Sequence, residues 1–162
     1  MILSYNLFFV KKKGELFMSE NSEKKGKKSL DELLEEGIKL CEMEKLYDAI
    51  EVLKKAVEFY PDSALAHYNL SVAYAFKLKK DIEHSEVWED KVEEESYIEE
   101  AINELDMAIS IDPKMKEAYK DLGKLYALTG EIEKAIENYE MSLSLDPNQP
   151  GIREELQSLR GK

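Results

Sequence analysis

Cysteine, glycine, histidine and basic charge are all scarce in this 162-residue sequence, and each shortage excludes something. Cys41 is the only cysteine, so no disulfide can form within the chain and the logic of small, disulfide-stapled secreted domains does not apply. A reducing compartment is allowed, and the cytoplasm is the expected location. The seven glycines are scattered, which leaves no loop able to cradle a phosphate. Two histidines, His67 and His84, fall in different elements and belong to no cluster with metal-ligand spacing, so neither a metal nor a cofactor is expected. Lys and Arg number 23 against 35 Asp and Glu, a net charge of -12, which argues against binding duplex nucleic acid or an anionic membrane. No apolar run nears the roughly 20 residues that span a bilayer. The longest, Met1 to Val10, is interrupted at Ser4, Tyr5 and Asn6.

What is present suffices for one domain, since 43% hydrophobic residues, 9% of the chain being aromatic, can fill a core at this length. The charge is unevenly spread. Residues 1–28 hold seven lysines and three glutamates, a balance of +4 that leaves -16 for the remainder. Lys11, Lys12 and Lys13 follow the first apolar stretch instead of preceding it, and no small-residue cleavage site comes next, so the segment does not read as a secretory signal. Lys13-Gly14-Glu15 would be encoded by purine-rich codons just upstream of Met18, where a bacterial ribosome-binding site would lie. Met18 is therefore the expected start, with residues 1–17 a leader and Ser19–Lys28 a polar, disordered tail. The division expected is 1–28 and a folded domain over 29–162.

That domain is internally repetitive. Asp112-Pro113 and Asp146-Pro147 stand 34 residues apart, and Tyr60-Pro61 forms a third punctuation upstream. Helix-spaced segments precede each: Ala49-Ile50 with Ala56-Val57, Ala101-Ile102 with Ala108-Ile109, and Ala135-Ile136. In the last copy Tyr119, Leu122, Tyr126, Ile136 and Tyr139 recur at three-to-four spacing as a helix seam, while Gly123 and Ala135 are small where two antiparallel helices must cross closely.

The run Ala118-Tyr119, Leu122-Gly123, Tyr126, Gly130, Ala135-Ile136, Tyr139 and Asp146-Pro147 resembles the tetratricopeptide repeat. The fold this implies is all-α, a solenoid of about three helix-turn-helix repeats over 30–63, 64–115 and 116–149. The first copy departs where Glu36 replaces the usual apolar residue. The middle copy spans 52 residues, 18 more than one period, and the excess falls between its helices around 77–96. With no Gly or Pro there, the insertion is expected to extend both helices as a projecting antiparallel arm, bent near His84-Ser85 and carrying Trp88 near its tip. Residues 150–160, with Ile152, Leu156 and Leu159 on one face, are expected to form a capping helix.

The resemblance also implies a function: a protein-binding scaffold or adaptor, not an enzyme, taking a partner's peptide or helix in a concave groove lined by the first helix of each repeat. The alternative is a structural subunit of an assembly. By position the lining would be Leu34, Ile38, Cys41, Leu65, Tyr68, Asn69, Val72, Phe76, Glu117, Lys120, Asp121 and Lys124, with Leu128 beside them. Tyr68 is the expected hot spot, and Glu117 with Asp121 would favour a ligand whose apolar anchors are flanked by Lys or Arg. One subclass of the family clamps the carboxylate of chaperone tails. At its positions this chain has Leu34, Ile38, Asn69, Glu117 and Asp121, of which only Asn69 fits, so capture of that kind is not expected. Trp88 is a candidate second anchor. The acidic runs Glu93–Glu95 and Glu99-Glu100 read as solvated helix surface, and Cys41 as a buried apolar thiol.

Overall fold

A computed structural model describes residues 28–84 and 91–161. Among the described residues all regular structure is helical: α1 Leu30–Glu42, α2 Leu46–Phe59, α3 Ala64–His84, α4 Lys91–Ile111, α5 Lys116–Thr129, α6 Ile132–Leu145 and α7 Pro150–Arg160. Consecutive helices pack in antiparallel pairs, α1 with α2, α3 with α4 and α5 with α6, and the pairs stack into a solenoid that α7 closes. The expected leader, tail and Met18, together with Trp88, lie outside the described residues.

Local chemistry sets the ends of these helices. Ser29 opens α1 through a capping box: the Glu32 N–H donates to its Oγ (3.3 Å) and the Ser29 N–H donates to the Glu32 carboxylate (2.7 Å). At the two Asp-Pro turns the carboxylate accepts the N–H two residues on, Lys114 to Asp112 at 3.0 Å and Asn148 to Asp146 at 2.9 Å. The punctuation seen in the sequence is thus an Asx turn made twice. Gly130 ends α5 with φ 83°, a left-handed cap that glycine adopts without steric penalty. The matching residue of the first pair is Glu44, which holds φ 58° despite its side chain.

Crossing within a pair depends on a missing side chain. A Cβ on Gly123 would stand 2.5 Å from Cδ1 of Tyr139, and one on Gly37 would stand 2.5 Å from Cγ of Leu53. These are the same two positions of the repeat, so the close approach recurs. Leu53, Ala49 and Ala56 of α2 and Leu105, Ala101 and Ala108 of α4 are fully or almost fully buried, and they belong to one core running from α1 to α5. A second, smaller core joins Tyr139 to Ile152 and Leu156 of α7. Gln149 ties the turn before α7 to α6 by donating to the carbonyls of Ser142 (3.0 Å) and Asp146 (2.9 Å), and Tyr139 donates to Glu155.

The middle pair is longer than the others. α3 and α4 each run 21 residues against 13 or 14 in the neighbouring pairs. The antiparallel pairing extends along them, from His67 against Glu104 (2.6 Å) to Tyr74 against Tyr97 (ring centroids 6.0 Å apart). At its base the extension leans on the first repeat. Lys77 is buried with its Nζ 4.6 Å from the Tyr47 ring and 5.3 Å from the Tyr97 ring, and Lys80 binds Glu44 at 2.8 Å. Residues 77–80 are therefore packed, where the sequence had suggested a freely projecting arm. A long amphipathic lysine can bury its stem and leave its cation on aromatic faces, which lets the helix lie down on its neighbour. The expected bend at Ser85 lies outside the described residues.

Candidate peptide-binding site

The first helices of the three pairs, α1, α3 and α5, lie side by side. α1 packs on α3, and the Tyr68 hydroxyl of α3 donates to Asp121 of α5 across 2.9 Å. Positions expected to line a groove along these helices divide into two groups. Ile38, Leu65, Phe76, Glu117, Lys120, Lys124 and Leu128 are partly exposed. Leu34, Cys41, Tyr68, Asn69, Val72 and Asp121 are buried.

The second group corrects the sequence reading. Tyr68 and Val72 have no exposed surface, and Tyr68 is a hydrogen-bonded strut between repeats instead of an accessible hot spot. Burial, aided by the charges of Asp121 and Glu117, drives its phenol pKa far above the ordinary range, so it stays a neutral donor. Asp121 is also no open carboxylate. It accepts from Tyr68, binds Lys124 at 3.0 Å and has Lys120 at 3.9 Å. With two lysines against it, this end of the face is close to electrically balanced, and only Glu117 remains as a partly exposed acid there. Cys41 is buried as expected. Desolvation, with a smaller contribution from Glu42, pushes its thiol up to about 12, which makes it a poor nucleophile at neutral pH.

Acidity is concentrated instead on α1, which carries Asp31, Glu32, Glu35, Glu36 and Glu42 against the single cation Lys39. Asp31, Glu35 and Glu42 lie on one flank of the stripe formed by Leu34, Ile38 and Cys41, all within about 120° of helix circumference at 100° per residue. This acidic flank was not singled out in the sequence reading. A count of charges along one helix face would have found it.

Asn69 is the exceptional side chain. It lies on α3 in a stripe with Leu65, Val72 and Phe76, spaced i-4, i+3 and i+7, and it is wholly buried. Neither its Oδ1 nor its Nδ2 has a hydrogen-bond partner, and among the described residues no other buried side chain is left so. A buried carboxamide without partners loses its hydration uncompensated, at a cost of about 1–3 kcal/mol. The other buried polar groups of α3 are satisfied. Ser71 donates to the Tyr68 carbonyl (2.6 Å), and His67 has both ring nitrogens engaged, by Glu104 and by the Pro61 carbonyl (2.9 Å). His67 is thus committed to holding the turn at Pro61 against α4. Among the described residues no cluster of three or more His, Cys, Asp or Glu side chains is placed to hold a metal, and no helix is long and apolar enough to cross a membrane.

The profile of the tetratricopeptide repeat family matches residues 117–149, and a second TPR repeat profile matches residues 37–76. The chain is a tetratricopeptide-repeat protein. Solved structures of other repeat proteins superpose on it. The first TPR domain of Spaghetti (RPAP3), bound to the HSP90 peptide SRMEEVD, is 23% identical with a TM-score of 0.67, over 82% of this chain and 90% of that one. MamA is 29% identical with a TM-score of 0.63, over 81% of this chain and 66% of that one. A thermophilic TPR protein of Thermus thermophilus is 25% identical with a TM-score of 0.68, over 81% of this chain and 63% of that one. Against the regular tetratricopeptide unit, the lengthened α3 and α4 are this chain's own departure.

Proposed function

We propose that this protein is a non-catalytic scaffold of the cytoplasm that takes an apolar segment of a partner protein, flanked by Lys or Arg, on the face of α1, α3 and α5. The observation that carries the reading is Asn69. Its carboxamide has one donor group and one acceptor at the centre of an apolar stripe, which is what an extended or helical peptide backbone needs to be held in register. Ile38, Leu65 and Phe76 supply apolar contact, and the acidic flank of α1 supplies attraction for cations. Burial of the anchors provides most of the free energy, at roughly 25 cal/mol per Å², while the charges speed association and reject acidic competitors. The HSP90 peptide held by the Spaghetti domain is acidic at its end. Glu117 and the paired Asp121 oppose a ligand of that charge here.

Pull-down from the source cell with wild-type and Phe76→Ala protein, followed by titration of the captured segment at two salt concentrations, tests the reading. Micromolar binding that weakens with salt and with Phe76→Ala is expected. Equal capture by both proteins would move the interaction to another surface.

One observation favours the second reading, a permanent subunit of an assembly. Met107 and Met141 occupy the same position in successive repeats and are 47% and 41% exposed. A chain that purifies as a stable monomer by size exclusion argues against it.

A further inference from the structure

Four properties of the concave face coincide with one segment of this same chain. The face has an apolar stripe on α3, an unpartnered buried carboxamide at its middle and an acidic flank on α1. It also lies within reach of the chain's beginning. Residues 1–10 include eight apolar or aromatic side chains, and Lys11, Lys12 and Lys13 follow directly. That is the ligand chemistry derived above, apolar anchors with a cationic flank. The tether is long enough: the 18 residues from Val10 to Lys28 reach up to about 60 Å, three times the roughly 20 Å length of α1. Its fixed end is held at the start of α1, where the Lys28 carbonyl accepts from Tyr60 (3.1 Å) and Lys28 Nζ binds Glu36 (2.5 Å).

We propose that residues 1–13 occupy this face in the free protein as a built-in occupant that an outside partner must displace. The inference rests on the concave-face reading and adds its regulation. Phe8 and Phe9 enter the apolar stripe, the backbone between them and Leu7 pairs with Asn69, and the three lysines meet Asp31, Glu35 and Glu42. Occupancy follows from the tether. At an effective concentration on the order of 1 mM, a segment with an intrinsic Kd of about 100 µM fills the face and weakens an outside competitor about ten-fold. The inference gives residues 1–13 a use, whereas the purine-coding reading of Lys13-Gly14-Glu15 leaves them untranslated.

The test titrates a synthetic peptide of residues 1–13 into the full chain and into the full chain carrying Phe8→Ser and Phe9→Ser. The substituted chain should bind the peptide about ten-fold more tightly than wild type. Adding Glu35→Lys and Glu42→Lys, both exposed and harmless to the core, should weaken that binding chiefly at low salt. Equal affinity of the two chains for the peptide overturns the inference, as does a native protein whose intact mass begins at Met18. The two readings fail separately. If the partner segment captured by pull-down binds while the peptide binds neither chain, the built-in occupant is wrong and the face stands. If nothing binds the face of either chain, both are wrong.

Discussion

The second and third helix pairs are built on one plan and differ in what they do with polar groups. In the third, Gly123 lets α5 cross Tyr139, Gly130 turns the chain, and the buried polar Asp121 and Ser142 are both hydrogen-bonded. In the second, each helix gains about two turns and two polar side chains enter the interior of α3 and its extension: Lys77, held between two tyrosine rings and by Asp81, and Asn69, held by nothing. A pair that follows the repeat satisfies itself. The pair that departs from it leaves one group waiting for a partner, and that is where binding is to be sought.

The largest effect should come from the strut between these two pairs. Tyr68→Ala removes a fully buried ring and leaves Asp121 without its hydroxyl donor, so a loss of about 3–5 kcal/mol is expected in urea unfolding. A loss under about 1 kcal/mol would mean that the pairs do not depend on this contact, and Tyr68 would return to the candidate ligand surface.

How much of this was legible without coordinates follows the same division. The Asp-Pro turns, the small residues at 37 and 123, and the apolar face of α7 are local signals, each readable from a few neighbouring residues. Tyr68, Val72 and Asp121 were placed on the wrong side of the surface because register along a helix says which residues share a face, and not how tightly the next repeat closes over it. That depends on a hydrogen bond between residues 53 positions apart. Lys77 was missed for a similar reason. No linear pattern marks a lysine as interior when its two aromatic partners come from other helices. Asn69 was legible as an amide in an apolar stripe, and its lack of partners was not.

The third pair can be broken at its crossing. Gly123→Ala sets a Cβ 2.5 Å from the ring of Tyr139, whose hydroxyl is tied to Glu155 of α7, so the ring cannot swing away without loosening the cap. A destabilisation of about 1–3 kcal/mol is expected by thermal or urea unfolding, with α7 protected less in hydrogen exchange. Unchanged stability and exchange would show that α6 and α7 yield easily and that the crossing is loose.

A smaller effect compares the first pair with the third at a shared turn position. Glu44 holds a left-handed conformation that disfavours an L side chain by roughly 1–2 kcal/mol, partly offset by the lower chain entropy that glycine would lose on folding. Glu44→Gly also removes the exposed pair with Lys80, worth little. A net gain of about 0.5 kcal/mol is expected from Glu44→Gly and a loss of about 1 kcal/mol from Gly130→Glu. Two changes of the same sign would show that side-chain contacts, not backbone conformation, govern this turn.

The smallest expected change in stability belongs to Asn69→Leu, and it carries the most information. If the carboxamide were structural, its removal would resemble the loss of any buried hydrogen bond and destabilise by about 1–3 kcal/mol. In the structure it has no hydrogen bond to lose, and leucine has nearly its shape, so the variant should unfold within about 1 kcal/mol of wild type and on the more stable side. Binding should respond in the opposite sense. A ligand backbone that pairs with Asn69 would face an apolar surface in the variant, leaving its own polar groups buried and unpaired, and affinity for the captured segment should fall about ten-fold or more. Stability and affinity moving apart in this way is the signature of a residue kept for a ligand. If Asn69→Leu lost stability and kept its affinity, the orphaned amide would be an internal structural group, and the centre of the concave face would no longer be the site.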